Sequence, residues 1–190
     1  MTPETVKRSP DAFEDILKFW FEESGRRKWF SGGLSFDAEI RDRFGVHHQA
    51  AASGLLDHWT ATPRSCLALL IILDQFSRNM FRRDPRAFAM DAHARSIAGN
   101  AIIRRFDLIA TDERRTFFYM PFMHSEILAD QRKCVAYFKA RLAGADNIPF
   151  AVEHMEIIER FGRFPHRNQA LGRISTPDEI RYLSQGGFAA

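Results

Sequence analysis

Three stretches set charged, amide and imidazole groups among large apolar side chains. The first is Leu73-Asp74-Gln75-Phe76-Ser77-Arg78-Asn79. Asp74 with Arg78 and Gln75 with Asn79 are i, i+4 pairs, which meet on a helix surface. The second is Pro121-Phe122-Met123-His124-Ser125-Glu126. The third is Arg160-Phe161-Gly162-Arg163-Phe164-Pro165-His166-Arg167-Asn168, followed by Leu171-Gly172-Arg173. Polar groups beside buried aromatics must be paired, because each one left unpaired costs about 1–3 kcal/mol, and charges cost more. Asp74, Glu126, Glu153, Glu156 and Glu159 are available to Arg78, Arg160, Arg163, Arg167 and Arg173. The plain reading is a semi-buried network tying helix ends together. The functional reading is one cleft for a small anion or a peptide carboxylate. Arg78, Arg163 and Arg167 then hold the anion, His124 and His166 donate, and Asp74 and Glu126 orient the arginines.

Other chemistries fit less well. His124, Glu126, His154, His166 and Asp74 are metal-ligand types. His124 and Glu126 are spaced i, i+2, which points them to opposite sides of a helix. No His-Glu-x-x-His and no Glu-x-x-His occurs, so no metal site and no cofactor is expected. His124 or His166 with Glu126 has the makeup of a base and its orienting carboxylate. That gives the alternative, a hydrolase, metal-assisted or not, using His124 and Glu126. Ser77 and Ser125 lack a Gly-x-Ser-x-Gly elbow. No glycine motif follows a strand to cradle phosphate. The pairs Arg82-Arg83, Arg104-Arg105 and Arg114-Arg115 lie near expected helix ends, where they complement the dipole, so nucleic acid is not the expected partner.

The elements that must position these groups are helical. Phe13, Ile16, Leu17, Trp20 and Phe21 form one stripe at helical spacing behind Ser9, a cap, and Pro10 at the first helical position. Gly25 ends it, and a polar loop covers 26–33. A second helix starts near Asp37, with Phe36, Ile40, Phe44, His47 and Ala51 on one face, and stops at Gly54. Thr62-Pro63 opens a helix over about 63–77 that is apolar almost all round and should be the most buried. Asp84-Pro85 opens a helix towards Arg105, with Gly99 a weak point. Thr111-Asp112-Glu113 opens another, which Pro121 should break or kink. A helix near Asp130 buries Cys134, Val135, Phe138 and Leu142. Pro149 begins one that closes at Gly162. Thr176-Pro177-Asp178-Glu179 reads as a capping box leading into Ile180 and Leu183.

No segment alternates with period two. The expectation is an all-α chain of seven to nine helices in stacked antiparallel hairpins, one domain over 1–190 with 1–8 a flexible N-terminal stretch.

Composition agrees with this. The chain has 190 residues, 45% hydrophobic and 27% charged, with 18 of its 24 aromatics Phe. That excludes disordered, collagen-like and low-complexity classes. The net charge is +3, built from 22 Arg and 5 Lys. Arg pairs bidentately with carboxylate or phosphate, yet +3 over a domain is a weak field. Cys66 and Cys134 sit in apolar runs and read as small buried hydrophobes. The first eight residues carry no signal-like apolar run, and no run approaches the roughly 20 residues that span a bilayer. The reading is a soluble cytoplasmic protein with no membrane partner. Its oligomeric state is open.

Taken together and in order, the three motifs resemble an uncharacterised bacterial family, domain of unknown function 924, from about Phe13 to Leu183. The resemblance implies a tetratricopeptide-like helical superhelix and no established activity. Family members often have proline where this chain has Ser77. The family's motif residues fall on Asp74, Gln75, Arg78, Asn79, His124, Glu126, His154, His166, Arg167 and Asn168. With Arg163 these are the candidate ligand-binding residues of a helical-repeat-like module whose expected partner is a small anion or a peptide or protein.

Overall fold

The apolar stripes decide the architecture. In this computed structural model, which describes residues 2–8, 11–31 and 33–188, every regular element is helical. Contacts divide the chain into two compact units, Met1–Arg82 with Arg86–Pro121, and Arg83–Pro85 with Phe122–Ala190. The helix start expected at Ser9 and Pro10 lies outside the described residues, as does Gly32 of the expected loop.

The first unit begins with α1 (Pro3–Arg8). Its Val6 is fully buried. α2 (Ala12–Lys18) runs directly into a π-helical turn, Phe19–Ser24. The wider turn brings both Phe19 and Trp20 into the core, while Phe13 and Phe21 from the expected stripe are only half-buried. Gly25 has φ +70° there, a conformation that other residues adopt at a cost. The expected polar loop is instead α3 (Gly25–Ser31), then α4 (Gly33–Ala52). Trp29 explains the difference. Its indole N–H donates to the Trp20 carbonyl at 2.8 Å and its ring stacks 5.8 Å from Trp20. α4 buries Phe36, Ile40, Phe44, His47 and Ala51 on the expected face.

Thr62 caps α5 (Pro63–Leu70), its Oγ1 accepting from the Ser65 amide, with Pro63 in the first turn. A second π-helical turn, Ile71–Phe76, continues it. Every residue from Ser65 to Ser77 is buried, so this is the central helix the sequence calls for. Phe76 meets Phe19, Trp20 and Phe44, with centroids 5.1–6.1 Å apart, and Trp20 also meets Phe117 at 5.8 Å. Such pairs add about 0.5–1.5 kcal/mol each beyond burial.

α6 (Ser77–Met80) ends that helix. Asp84-Pro85 opens only a 3-10 turn, Pro85–Ala87, and the helix α7 (Asp91–Ile103) starts later. α8 (Phe106–Ile109) is a single turn. α9 (Asp112–Met123) continues for two residues past Pro121.

The second unit holds α10 (Leu128–Arg141) and α11 (Asn147–Phe161), which pack on each other, and α12 (Pro177–Ser184). Cys134, Val135, Phe138 and Leu142 are buried as expected. Gly162, with φ +69°, closes α11. The Thr176–Glu179 capping box is formed, but α12 buries Glu179 and leaves Ile180 57% exposed. Among the described residues there are twelve α-helical segments, two of them four-residue turns. The expectation of seven to nine is therefore low. The excess comes from short pieces such as α1 and α3, too brief to show a period.

Candidate functional site

The polar groups of the second unit gather around two carboxylates. Glu126 follows the end of α9. Its Oε1 accepts from the Phe164 amide at 2.9 Å and from Arg173 Nη1 at 2.9 Å, and its Oε2 accepts from Arg173 Nη2 at 2.7 Å. Burial works to raise the Glu126 pKa. The bonds from Arg173 and Phe164, with the charges of Arg167 and Arg173, outweigh it, so the carboxyl lies below its usual range. Neither oxygen bonds an imidazole, so the expected pairing of Glu126 with His124 or His166 is not formed.

Glu179, at the third position of α12, is the second centre. Arg163 donates Nε to Oε1 at 2.6 Å and Nη2 to Oε2 at 2.8 Å. The Thr176 amide donates to Oε2 at 2.7 Å, and Asn168 Nδ2 at 3.3 Å. Arg163 also reaches the Ile174 carbonyl at 2.9 Å. Arg167 is buried, donates Nη2 to the His124 carbonyl at 2.9 Å, and lies over the Phe164 ring. His154 donates Nδ1 to the Phe150 carbonyl at 2.7 Å, its ring beside Phe164, which also meets His166. The second and third motifs thus meet within this unit.

The first motif has its own partners in the first unit. Arg78 reaches Asp74 Oδ1 at 3.1 Å, the expected i, i+4 pair, and donates two 3.0 Å bonds to Asp91. Gln75 Nε2 donates to Asp74 Oδ2 at 2.5 Å. Asn79 bonds into α4 rather than to Gln75. It donates to Asp37 Oδ1 at 2.8 Å, and Arg82 grips the same carboxylate at 2.8 and 2.9 Å. Ser77 donates to the Leu73 carbonyl at 2.6 Å, so its oxygen accepts from His48 Nε2 at 2.9 Å. Burial pushes His48 and His47 down, keeping the uncharged form. A proline at 77 would lack that hydroxyl.

Several of these partners were not legible as partners in the sequence. Asp37, Arg82, Asp91 and Glu179 enter through contacts distant in the chain. Glu179 was visible only as a cap. Arg132 takes Glu159 at 3.3 Å, while Arg160 pairs with no carboxylate among the described residues. The Arg160 guanidinium lies over the rings of Phe161, at 4.6 Å, and Tyr182, at 5.8 Å. It borders a cleft of about 460 Å³, lined also by Phe161, Arg163, Thr176, Asp178 and Glu179. Arg163 offsets Glu179, and Arg181 offsets Asp178 at 3.1 Å, which leaves Arg160 as the uncompensated charge.

Among the described residues, no three His, Cys, Asp or Glu side chains gather into a group able to hold a metal ion. No described helix is long and apolar enough to cross a membrane.

These features define an all-helical protein whose arginine–carboxylate clusters tie its loops to its helix ends. The chain belongs to the family described as bacterial protein of unknown function, DUF924, whose pattern it matches over residues 16–187. It is similar to the solved structure of a protein of unknown function from Agrobacterium tumefaciens. The two share 42% identity, the match covers 92% of this chain and 97% of that one, and the TM-score is 0.87. No curated protein matches the chain.

Proposed function

We propose that this protein is a binding module, and that the cleft bordered by Arg160 and Arg163 takes a small anion, foremost the carboxylate of a peptide. The observation that carries the reading is Arg160. It is a guanidinium lying over two rings, with no carboxylate of its own, at the edge of a cleft. An arginine in that state keeps its planar donor fork for an incoming carboxylate. Its cation–π contacts limit the freedom lost when it binds. Arg163, one turn of chain later, is the expected holding residue that borders the same cleft. The wall supplied by Phe161 suits the apolar part of a peptide. Tetratricopeptide-like stacking belongs to this reading, as does the cytoplasm, whose reducing conditions suit the buried thiols of Cys66 and Cys134.

Calorimetric titration with a short acetylated peptide tests it. The free-acid form should bind and the amide-capped form should not. Arg160→Ala should weaken binding at least tenfold while leaving the melting temperature unchanged. Equal binding of both peptide forms would refute the assignment.

A further inference from the structure

The chain beyond α12 folds back on its own unit through two glycines. Gly186 has φ +82°. At Gly187 a Cβ would sit 2.5 Å from the Tyr182 ring and 2.6 Å from the Tyr182 carbonyl oxygen, so no other residue permits this approach. The turn delivers a single aromatic ring. Phe188 enters between two imidazoles, 4.4 Å from His154 and 5.2 Å from His166, both edge-on, at 61° and 70°. The fully buried Phe164 lies 5.4 Å from His154 and 5.5 Å from His166, so one phenyl ring serves both. Ile157 and Ile158 complete the apolar cluster on which Phe188 packs. Above it the Phe188 amide donates to the Tyr182 hydroxyl at 2.9 Å. The Phe150 carbonyl fixes the His154 ring through Nδ1.

We propose that His154, Phe164, His166 and Tyr182 form a recognition pocket for an aromatic side chain of a peptide, and that Phe188 fills this pocket in cis. An apolar floor, two edge-on polar rings and one anchor for the backbone amide are the parts a side-chain pocket needs. The backbone bonds of Gly186 to Leu183 and Gly187 to Tyr182 lie within the turn itself. The segment is therefore seated by the Phe188 ring and its amide. Tethered by two glycines, Phe188 competes at an effective concentration in the millimolar range, which masks the pocket towards other peptides. The pocket shares the Tyr182 ring with the Arg160 cleft but uses no anion contact, so binding of an amide-capped phenylalanine peptide and binding of a carboxylate are read separately.

The probe is acetyl-Gly-Gly-Phe-amide, followed by NMR of the His154 and His166 ring signals. Phe188→Ala should give saturable shifts at both rings, with an affinity at least tenfold above wild type. Acetyl-Gly-Gly-Ala-amide should give none. Phe188→Leu, which keeps an apolar side chain but removes the aromatic ring, should also raise the affinity above wild type and carries the comparison if Phe188→Ala does not fold. Absence of saturable shifts in a folded variant would overturn the proposal and leave Phe188 a core residue. Dimerisation of the wild type that Phe188→Ala abolishes would also overturn it, assigning the pocket to a second copy.

Discussion

Arg163 and Glu179 meet through two hydrogen bonds, of 2.6 and 2.8 Å, across sixteen residues of chain. The same carboxylate accepts from the Thr176 amide and completes a capping box. One side chain therefore starts α12 and ties it to the loop after α11. The Arg163 bonds and the Thr176 amide outweigh burial and hold the Glu179 carboxyl at about 2, against a usual 4.5.

Acid sensitivity follows from that pair. Between these two values the unfolded chain binds a proton that the folded chain excludes, so stability rises with pH across the window. The contribution is whole above 4.5 and is lost as pH falls towards about 2. Glu179→Gln should cost about 1.5–3 kcal/mol near pH 7, at roughly 2–4 °C of melting temperature per kcal/mol. Thermal scans of both proteins down this window should show the gap closing. A gap of constant size would place the stabilisation elsewhere.

A second pair makes an ordering testable. Asp37 is 3% exposed and accepts from Asn79 and twice from Arg82. Arg82→Ala leaves a buried carboxylate with one amide donor. The loss should be about 2–3 kcal/mol, below the roughly 3–5 of a fully enclosed pair, because the Arg82 side chain is 46% exposed. Asp37→Asn removes the charge along with its partner's reason to stay, and should cost less, about 1–2 kcal/mol. Urea denaturation of the two variants gives the order, and the reverse order contradicts this account.

Arg167 stands apart from Arg160. It is 5% exposed and bonded to the His124 carbonyl. Arg167→Ala should lower the melting temperature by several degrees, from a loss of about 2–4 kcal/mol, and leave peptide-carboxylate affinity within twofold. Calorimetry on the folded variant checks both halves. A stable variant with lost affinity would move the anion contact to Arg167.

What the sequence disclosed was local. The α4 face of Phe36, Ile40 and Phe44, the Thr62-Pro63 start and the Thr176 box all rest on spacings of eight residues or fewer, where geometry fixes the outcome. Asp74 with Arg78 was legible for the same reason. Trp29 was not, because its reach to Trp20 depends on a π-helical turn that no residue pattern announces. Arg173 meets Glu126 across forty-seven residues. Both were visible as charges needing partners, but only the folded chain chooses between Glu126, Glu153, Glu156 and Glu159. Arg160 was hidden by the same ambiguity, since composition cannot say which arginine is left over.

The most direct measurement is the NMR spectrum of the arginine side-chain Nε–H groups during titration with acetate. The Arg160 signal should shift saturably, with a smaller movement at Arg163 and none at Arg78 or Arg167. An unmoved Arg160 signal, or one that moves only with general ionic strength, would rule Arg160 out as the anion contact.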